Sequence, residues 1–431
     1  MDAPPASLAS PLPPAAPPGR PSPTQPEDRL HHLDVLRGFA LLGVLLSNIQ
    51  YWFRAPRGHQ NLSVPSWPGP ADQVATWLLR ALVETKFIFL FSLLFGVGLA
   101  MLAERAPGRA GRRVAVRRLM ALMGIGALHV LLLWNGEILL PYGALGLLAL
   151  PFVRCSHRTL WRWVSGLWLL LLVLMLLEPL RRALGPAPAP PVPAALRASD
   201  EGEAAFIAWL ARHYLDPSWV EVTRFRLQDY GRVLRGSAPG FLAIFTNLLT
   251  GLALWRGGLL REPGVHRPAL RRFVRWGLPL GLLLHAAYAS KAPLAAWARS
   301  LPWSSGRLVA PLVELSMLGG ALLLSLAFGA AVLLLAATPR WRALLAPLAG
   351  LGRTALSAYL LQSLGMTAVF YGWGLGQYNR MGPLHGALLG LAFFGAQLLA
   401  AGWWLRRFRF GPVEWAWRWI TYGTAPPLRR G

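Results

Sequence analysis

His129 and Glu137, eight positions apart, are of the types that general acid–base chemistry needs. An imidazole oriented by a carboxylate can take a proton from a hydroxyl or an amine. The intervening residues end in Trp134-Asn-Gly, so a turn over 134–138 would bring the two side chains near each other. The plainer alternative for His129 is an interhelical hydrogen bond or an interfacial position. A second group could meet an anion. Asp34 and Arg37 lie three apart and share a helical face, where they can pair with each other. Arg37 could equally contact a phosphate-bearing donor. Arg353 sits at the end of another apolar segment and suits the same task.

Further polar residues fall inside apolar runs, where they are costly and so mark candidate sites. Asn48 follows Arg37 by eleven residues, on the same helical face and roughly 16 Å along the axis. Glu84 and Lys86 precede the run Phe87-Ile-Phe-Leu-Phe-Ser-Leu-Leu-Phe-Gly. Gln362 and Ser363 fall mid-segment, and Tyr371 closes that segment. Asn48, Glu84, Gln362, Ser363 and Tyr371 are the candidate lining of a substrate path. Phosphate-binding glycine loops, a Gly-x-Ser-x-Gly elbow and His- or Cys-rich metal motifs are all missing from the sequence. The single cysteine, Cys155, excludes an intrachain disulfide.

The elements that must position these residues are membrane helices. Hydrophobic residues make up 55% of the 431 and charged residues 14%, against about 25% charged in a soluble domain. The apolar residues come in blocks near the roughly 20 residues that cross a bilayer core. The blocks predict about ten spans: 35–53, 86–104, 117–134, 138–153, 160–180, 238–255, 273–290, 312–336, 351–371 and 384–405. An amphipathic stretch over 71–84 precedes the second span. The expected fold is an all-α, polytopic integral membrane helical bundle embedded in a lipid bilayer.

The net charge of +25 would suggest nucleic acid in a soluble protein. Here the arginines cluster at segment ends, so no nucleic-acid partner is expected. Segments after the even-numbered spans, with both tails, carry about 27 arginines, against about five basic residues on the other side. That asymmetry predicts both termini in the cytoplasm. Residues 1–28, with ten prolines, read as a disordered tail. Residues 29–180 and 238–431 read as two five-helix halves. The connection 181–237 reads as an extracytoplasmic loop, with a Pro-rich spacer from Gly185 and then amphipathic helices.

The run Arg29-Leu-His-His-Leu-Asp-Val-Leu-Arg-Gly resembles the opening of the YeiB-like membrane proteins, the domain-of-unknown-function-418 family. So do Glu84-Thr-Lys-Phe, Gly352-Arg-Thr-Ala-Leu-Ser-Ala-Tyr-Leu-Leu-Gln-Ser and Gly411-Pro-Val-Glu-Trp. That family is similar to a broader group of transmembrane acyltransferases through Leu33-Asp-Val-Leu-Arg-Gly. The group includes envelope sugar O-acyltransferases and the lysosomal glucosaminide N-acetyltransferase. The resemblance implies a bacterial inner-membrane protein that uses cytoplasmic acyl-CoA as co-substrate, with no permanently bound cofactor. Its acceptor would be an envelope glycan or a lipid-linked sugar. The O-acyltransferase branch carries a His at the position of Asn48; the N-acetyltransferase branch has Asn there and a His in the loop after the first span. His59 is the one histidine in that loop here. A transporter or permease, and a non-catalytic scaffold, remain the alternative expectations.

Overall fold

The computed structural model of the chain describes residues 30–53, 67, 69–184, 208–301 and 308–430. The Pro-rich tail 1–28, His59 and the Pro-rich run from Gly185 lie outside the described residues.

The described residues form a helical protein. Its helices are α1 (His31–Phe53), α2 (Pro70–Leu82), α3 (Lys86–Arg105), α4 (Gly108–Leu132), α5 (Leu139–Ala149), α6 (His157–Leu184), α7 (Trp219–Gly236) and α8 (Ala238–Arg256). They continue as α9 (Arg267–Ala289), α10 (Lys291–Ser300), α11 (Val309–Ala336), α12 (Pro339–Leu344), α13 (Ala346–Arg353), α14 (Ala355–Phe370), α15 (Pro383–Arg407) and α16 (Pro412–Tyr422). Among the described residues the one β-pairing is an isolated antiparallel bridge between Phe408 and Arg429.

Among the described residues seven helical stretches are long and apolar enough to cross a membrane, and two shorter apolar helices, 139–154 and 355–370, accompany them. The chain is therefore a polytopic helical membrane protein. α6 turns Leu169, Leu170, Val173, Leu174 and Leu177 outward. In water such a stripe would be an aggregation hazard; against hydrocarbon it is solvated.

All ten expected segments fall on helices, with differences that have local causes. The fourth is short because Pro151 interrupts it, and 150–154 finishes as a 3₁₀ turn. The seventh, α9, carries four arginines in its first nine residues, which leaves 276–289 as its uncharged part. The ninth is not one span over 351–371: it breaks at Thr354 into α13 and α14. The amphipathic stretch 71–84 is α2, which packs on α9 and α15. Within the long connection, residues 208–214 are helical and α7 follows, capped by Ser218 accepting from the Glu221 N–H.

α1 runs through the centre, against α3, α11, α13, α14 and α15. Two glycine crossings set the spacing. A Cβ on Gly38 would stand 2.0 Å from the carbonyl oxygen of Leu348, and one on Gly352 would stand 1.9 Å from that of Asp34. Gly96 and Gly251 do the same for α3 and α8, each meeting a carbonyl oxygen of the other helix at 2.0 Å. Without Cβ atoms the backbones approach closely, the usual device for helices in lipid. The first crossing brings the Arg37 turn of α1 beside the end of α13 that bears Arg353.

Candidate functional site

α4 delivers His129 in its last turn, and both Leu133 N–H and Trp134 N–H close onto the His129 carbonyl, ending the helix. The turn that follows returns Glu137 to it. Nδ1 of His129 is hydrogen-bonded to Oε2 of Glu137, and both side chains are fully buried. Oε1 of Glu137 accepts the Leu140 N–H at 2.9 Å, satisfying one orphan donor at the start of α5. Gly126 leaves room for this arrangement: a Cβ there would lie 2.8 Å from Oε1 of Glu137 and 2.5 Å from Leu140 N.

A carboxylate only accepts hydrogen bonds, so where the Glu137 carboxylate accepts from the ring, Nδ1 carries the hydrogen and Nε2 presents its lone pair. That Nε2 is buried and has no hydrogen-bond partner among the described residues. Tyr359 lies against the imidazole, ring centroids 5.2 Å apart, and its hydroxyl donates to the Gly136 carbonyl at 3.3 Å. An imidazole fixed on one nitrogen and open on the other has the arrangement of a general base.

Beside this pair lies a cavity of about 560 Å³, within the range of small-molecule sites. At one end it is lined by Arg37, Arg105, Arg118, Arg353 and Arg418, with Asp34 and Glu414 as the acids. Five guanidiniums against two carboxylates make this end cationic. Arg37 pairs with Asp34 at 2.8 Å and stays 30% exposed, whereas Asp34 is 7% exposed. Arg118 stacks on Trp417 at 3.8 Å, and that indole donates back to the Arg118 carbonyl. Deeper, Leu41, Val44, Phe91 and Phe95 make the wall apolar.

Glu414 has a distinct position. It is buried, and its carboxylate accepts the N–H groups of Leu356 (2.6 Å) and Ser357 (3.0 Å) and the Ser357 hydroxyl. It thus occupies the positive end of α14 that an anion would otherwise seek. Burial is the larger influence on it and pushes its carboxyl above the ordinary range. An anion entering this end would therefore meet the arginines.

Ile138, Tyr142 and Tyr359 also line the cavity. Ile138 follows Glu137 in sequence, and Tyr359 touches His129, so the histidine–glutamate pair adjoins this part of the lining without belonging to it.

A family model described as a protein of unknown function, DUF418, matches residues 254–424. The chain is 30% identical over 427 residues to the uncharacterized protein YxaH of Bacillus subtilis (strain 168), covering 95% of this chain and 98% of the relative. It is 32% identical over 412 residues to the uncharacterized protein YeiB of Escherichia coli (strain K12), covering 92% and 97%. The chain belongs to the DUF418 family. Within this DUF418 chain the matched segment supplies Arg353, Tyr359, Glu414, Trp417 and Arg418 to the cavity. Arg37, His129 and Glu137 lie before it, inside the span of full-length similarity.

The structure brings Asp34, Arg37 and Arg353 to one cavity and puts His129 against Glu137. It separates the other candidates. Asn48 is half-buried, one turn beyond Val44 on the cavity-lining stripe 37, 41, 44, but outside the cavity wall. Gln362 donates to Gln397 at 2.9 Å, and Gln397 to the Ala358 carbonyl at 3.0 Å, tying α14 to α15. Ser363 is fully buried one residue on. Tyr371 stacks with Tyr214, centroids 4.8 Å apart, beyond the end of α14. Glu84 sits in the turn before Lys86, whose Nζ meets the Arg80 carbonyl and, at 2.9 Å, Nδ1 of His285; this is a separate cluster on α2, α3 and α9. Arg118, Tyr142 and Glu414 line the site without having been singled out by sequence. Arg118 is hidden among arginines that topology alone accounts for. The available signal for Glu414 was an acid inside an aromatic segment.

Proposed function

We propose that this DUF418 protein is a transmembrane acyltransferase of the bacterial cytoplasmic membrane, moving an acyl group from cytoplasmic acyl-CoA to an envelope sugar or lipid-linked acceptor. One observation supports it above the others: a single cavity is lined by Arg37, Arg118 and Arg353 and also by Tyr359, which touches His129 where it meets Glu137. The positive-inside rule orients the arginine end toward the cytoplasm. In this reading the same charge pattern puts both termini in the cytoplasm, which requires an even number of spans, and the ten apolar blocks satisfy it.

In this reading the arginines take the phosphates of CoA, preferably as paired N–H contacts. The pantetheine arm and acyl chain lie along Leu41, Val44, Phe91 and Phe95, with the thioester beneath Tyr142 and Tyr359. The acceptor approaches from the opposite side, past Asn48. His129 Nε2 takes the proton of the acceptor hydroxyl or amine as that atom attacks the thioester carbon. The new acyl bond forms, the C–S bond breaks, and the imidazolium returns its proton to the leaving thiolate. Glu137 holds the ring and stabilises its charged form. His59, in the loop after α1, is the second candidate base.

The test is binding of acyl-CoA to the purified protein, followed by transfer to a sugar acceptor. Binding should weaken with salt, and Arg37→Ala or Arg353→Ala should each weaken it about tenfold, as loss of a charge-assisted contact does. His129→Ala should bind normally and fail to transfer. Absence of acyl-CoA binding, or equal binding by the arginine variants, overturns the reading.

A further inference from the structure

Arg226, on α7, is fully buried. Its Nε donates to the Val130 carbonyl at 3.0 Å. One terminal nitrogen donates to Leu133 O at 2.6 Å, and the other to Leu131 O at 2.6 Å and Thr223 Oγ1 at 2.9 Å. These backbone carbonyls are the orphan acceptors where α4 ends, at the negative end of its dipole. Burying a guanidinium is costly unless its N–H groups are satisfied. This one is satisfied almost entirely by the few residues that follow His129.

Nearly one turn later on α7, Oδ2 of Asp229 accepts from Asn135 Nδ2 at 2.7 Å and from the Tyr214 hydroxyl at 3.0 Å. Asn135 stands two residues before Glu137. From the other side the Tyr359 hydroxyl holds Gly136. The turn 133–138 is thus pinned at Leu133, Asn135 and Gly136, and Glu137 is the next residue along. The Tyr214 carbonyl in turn accepts the Gly372 N–H at 2.8 Å, which anchors the 208–236 region beyond α14.

We propose that Arg226 and Asp229 are positioning residues: docked α7 fixes the turn 133–138 so that Glu137 meets Nδ1 of His129. The proposal rests on the reading of His129 as the base, but its test does not require transfer activity. A structural anchor alone would hold the loop without altering the histidine. A positioning role makes the chemical state of His129 depend on contacts made by the other side of the turn.

Full-length protein in detergent micelles is labelled with nitrogen-15 histidine, and the two ring-nitrogen signals of His129, assigned by their loss in His129→Gln, are read at fixed pH. Glu137→Gln is the reference, because it removes the carboxylate that holds the hydrogen on Nδ1. Arg226→Gln and Asp229→Asn should each shift both signals toward those of Glu137→Gln, and neither should shift them further when combined with it. Exchanging the pair, Asn135→Asp with Asp229→Asn, reverses donor and acceptor and should restore the original signals. Where Arg226→Gln does not give a folded peak on size exclusion, Asp229→Asn and the exchanged pair carry the test. Unchanged signals in folded variants, effects that add to Glu137→Gln, or failure of the exchange to restore the signals overturns the proposal. The expected shifts in a protein that binds no acyl-CoA would uphold the positioning role and remove the acyltransferase reading.

Discussion

Glu137 serves two elements at once: one carboxylate oxygen meets Nδ1 of His129, and the other accepts the Leu140 N–H at 2.9 Å. The imidazole and the start of α5 are therefore registered by the same side chain. A shift of α5 against α4 would disturb the contact to the imidazole, which ties the setting of the ring to helix packing.

Glu137→Gln should keep acyl-CoA binding and lower transfer by about 10²–10⁴, the range that general-base assistance supplies. The amide keeps an acceptor for Leu140 N–H but loses the charge that stabilises the imidazolium. A pre-steady-state transfer assay with a binding control checks it. Equal loss of binding would mean that the change acts through the fold.

Gly98 and Gly352 separate space from packing. A Cβ on Gly98 would meet nothing within 4 Å, and the residue lines the cavity. Gly98→Leu should fold normally and block acyl-CoA binding. Gly352→Ala forces α13 off α1 and should destabilise by about 1–3 kcal/mol, as overpacking does. Thermal melting in detergent, run beside a binding assay, distinguishes the two.

Gln362→Leu tests whether a mid-membrane amide is path or packing. Its bond to Gln397 should be worth on the order of 1 kcal/mol or less. The variant should lose about that much stability and bind acyl-CoA as before. A fall in binding or transfer with stability unchanged would return Gln362 to the substrate path.

Glu414 makes stability depend on pH. Burial raises its carboxyl above the usual 4.5 when the protein is folded, so between the two values the folded state holds more protons than the unfolded state. Stability from this group is then greatest below pH 4.5 and declines as pH rises through the raised folded value. Glu414→Gln should remove that slope. Melting curves of both proteins across mildly acidic pH check it; parallel curves would contradict the burial argument.

Much of the framework was legible because lipid imposes it. Apolar length marks the spans, and the short turn after His129 brings Glu137 within reach. The break at Thr354 was not legible, since hydropathy runs through it unchanged; it depends on Glu414 capping α14 from 57 residues away in sequence. Arg226 was hidden for a different reason. In a loop helix of mixed charge nothing local distinguishes a buried guanidinium from a solvated one, and the carbonyls that hold it lie more than 90 residues earlier. Arg118 was lost among arginines of the same segment. Periodicity reports which face is buried, not what it is buried against.

In the acyltransferase reading, the cavity does not run through the bundle, and Tyr142 and Tyr359, which line it, form its inner partition. A cell that stores energy as an ion gradient holds about 2.3 kcal/mol per charge for every 100 mV across this bilayer. In that reading the two phenol rings would keep this voltage from discharging along the route a cargo takes. In the acyltransferase reading, a handover at this partition would let carbon cross while the battery stays charged. Replacing Tyr359 with alanine should therefore show itself first as leak current, before any change in chemistry is sought.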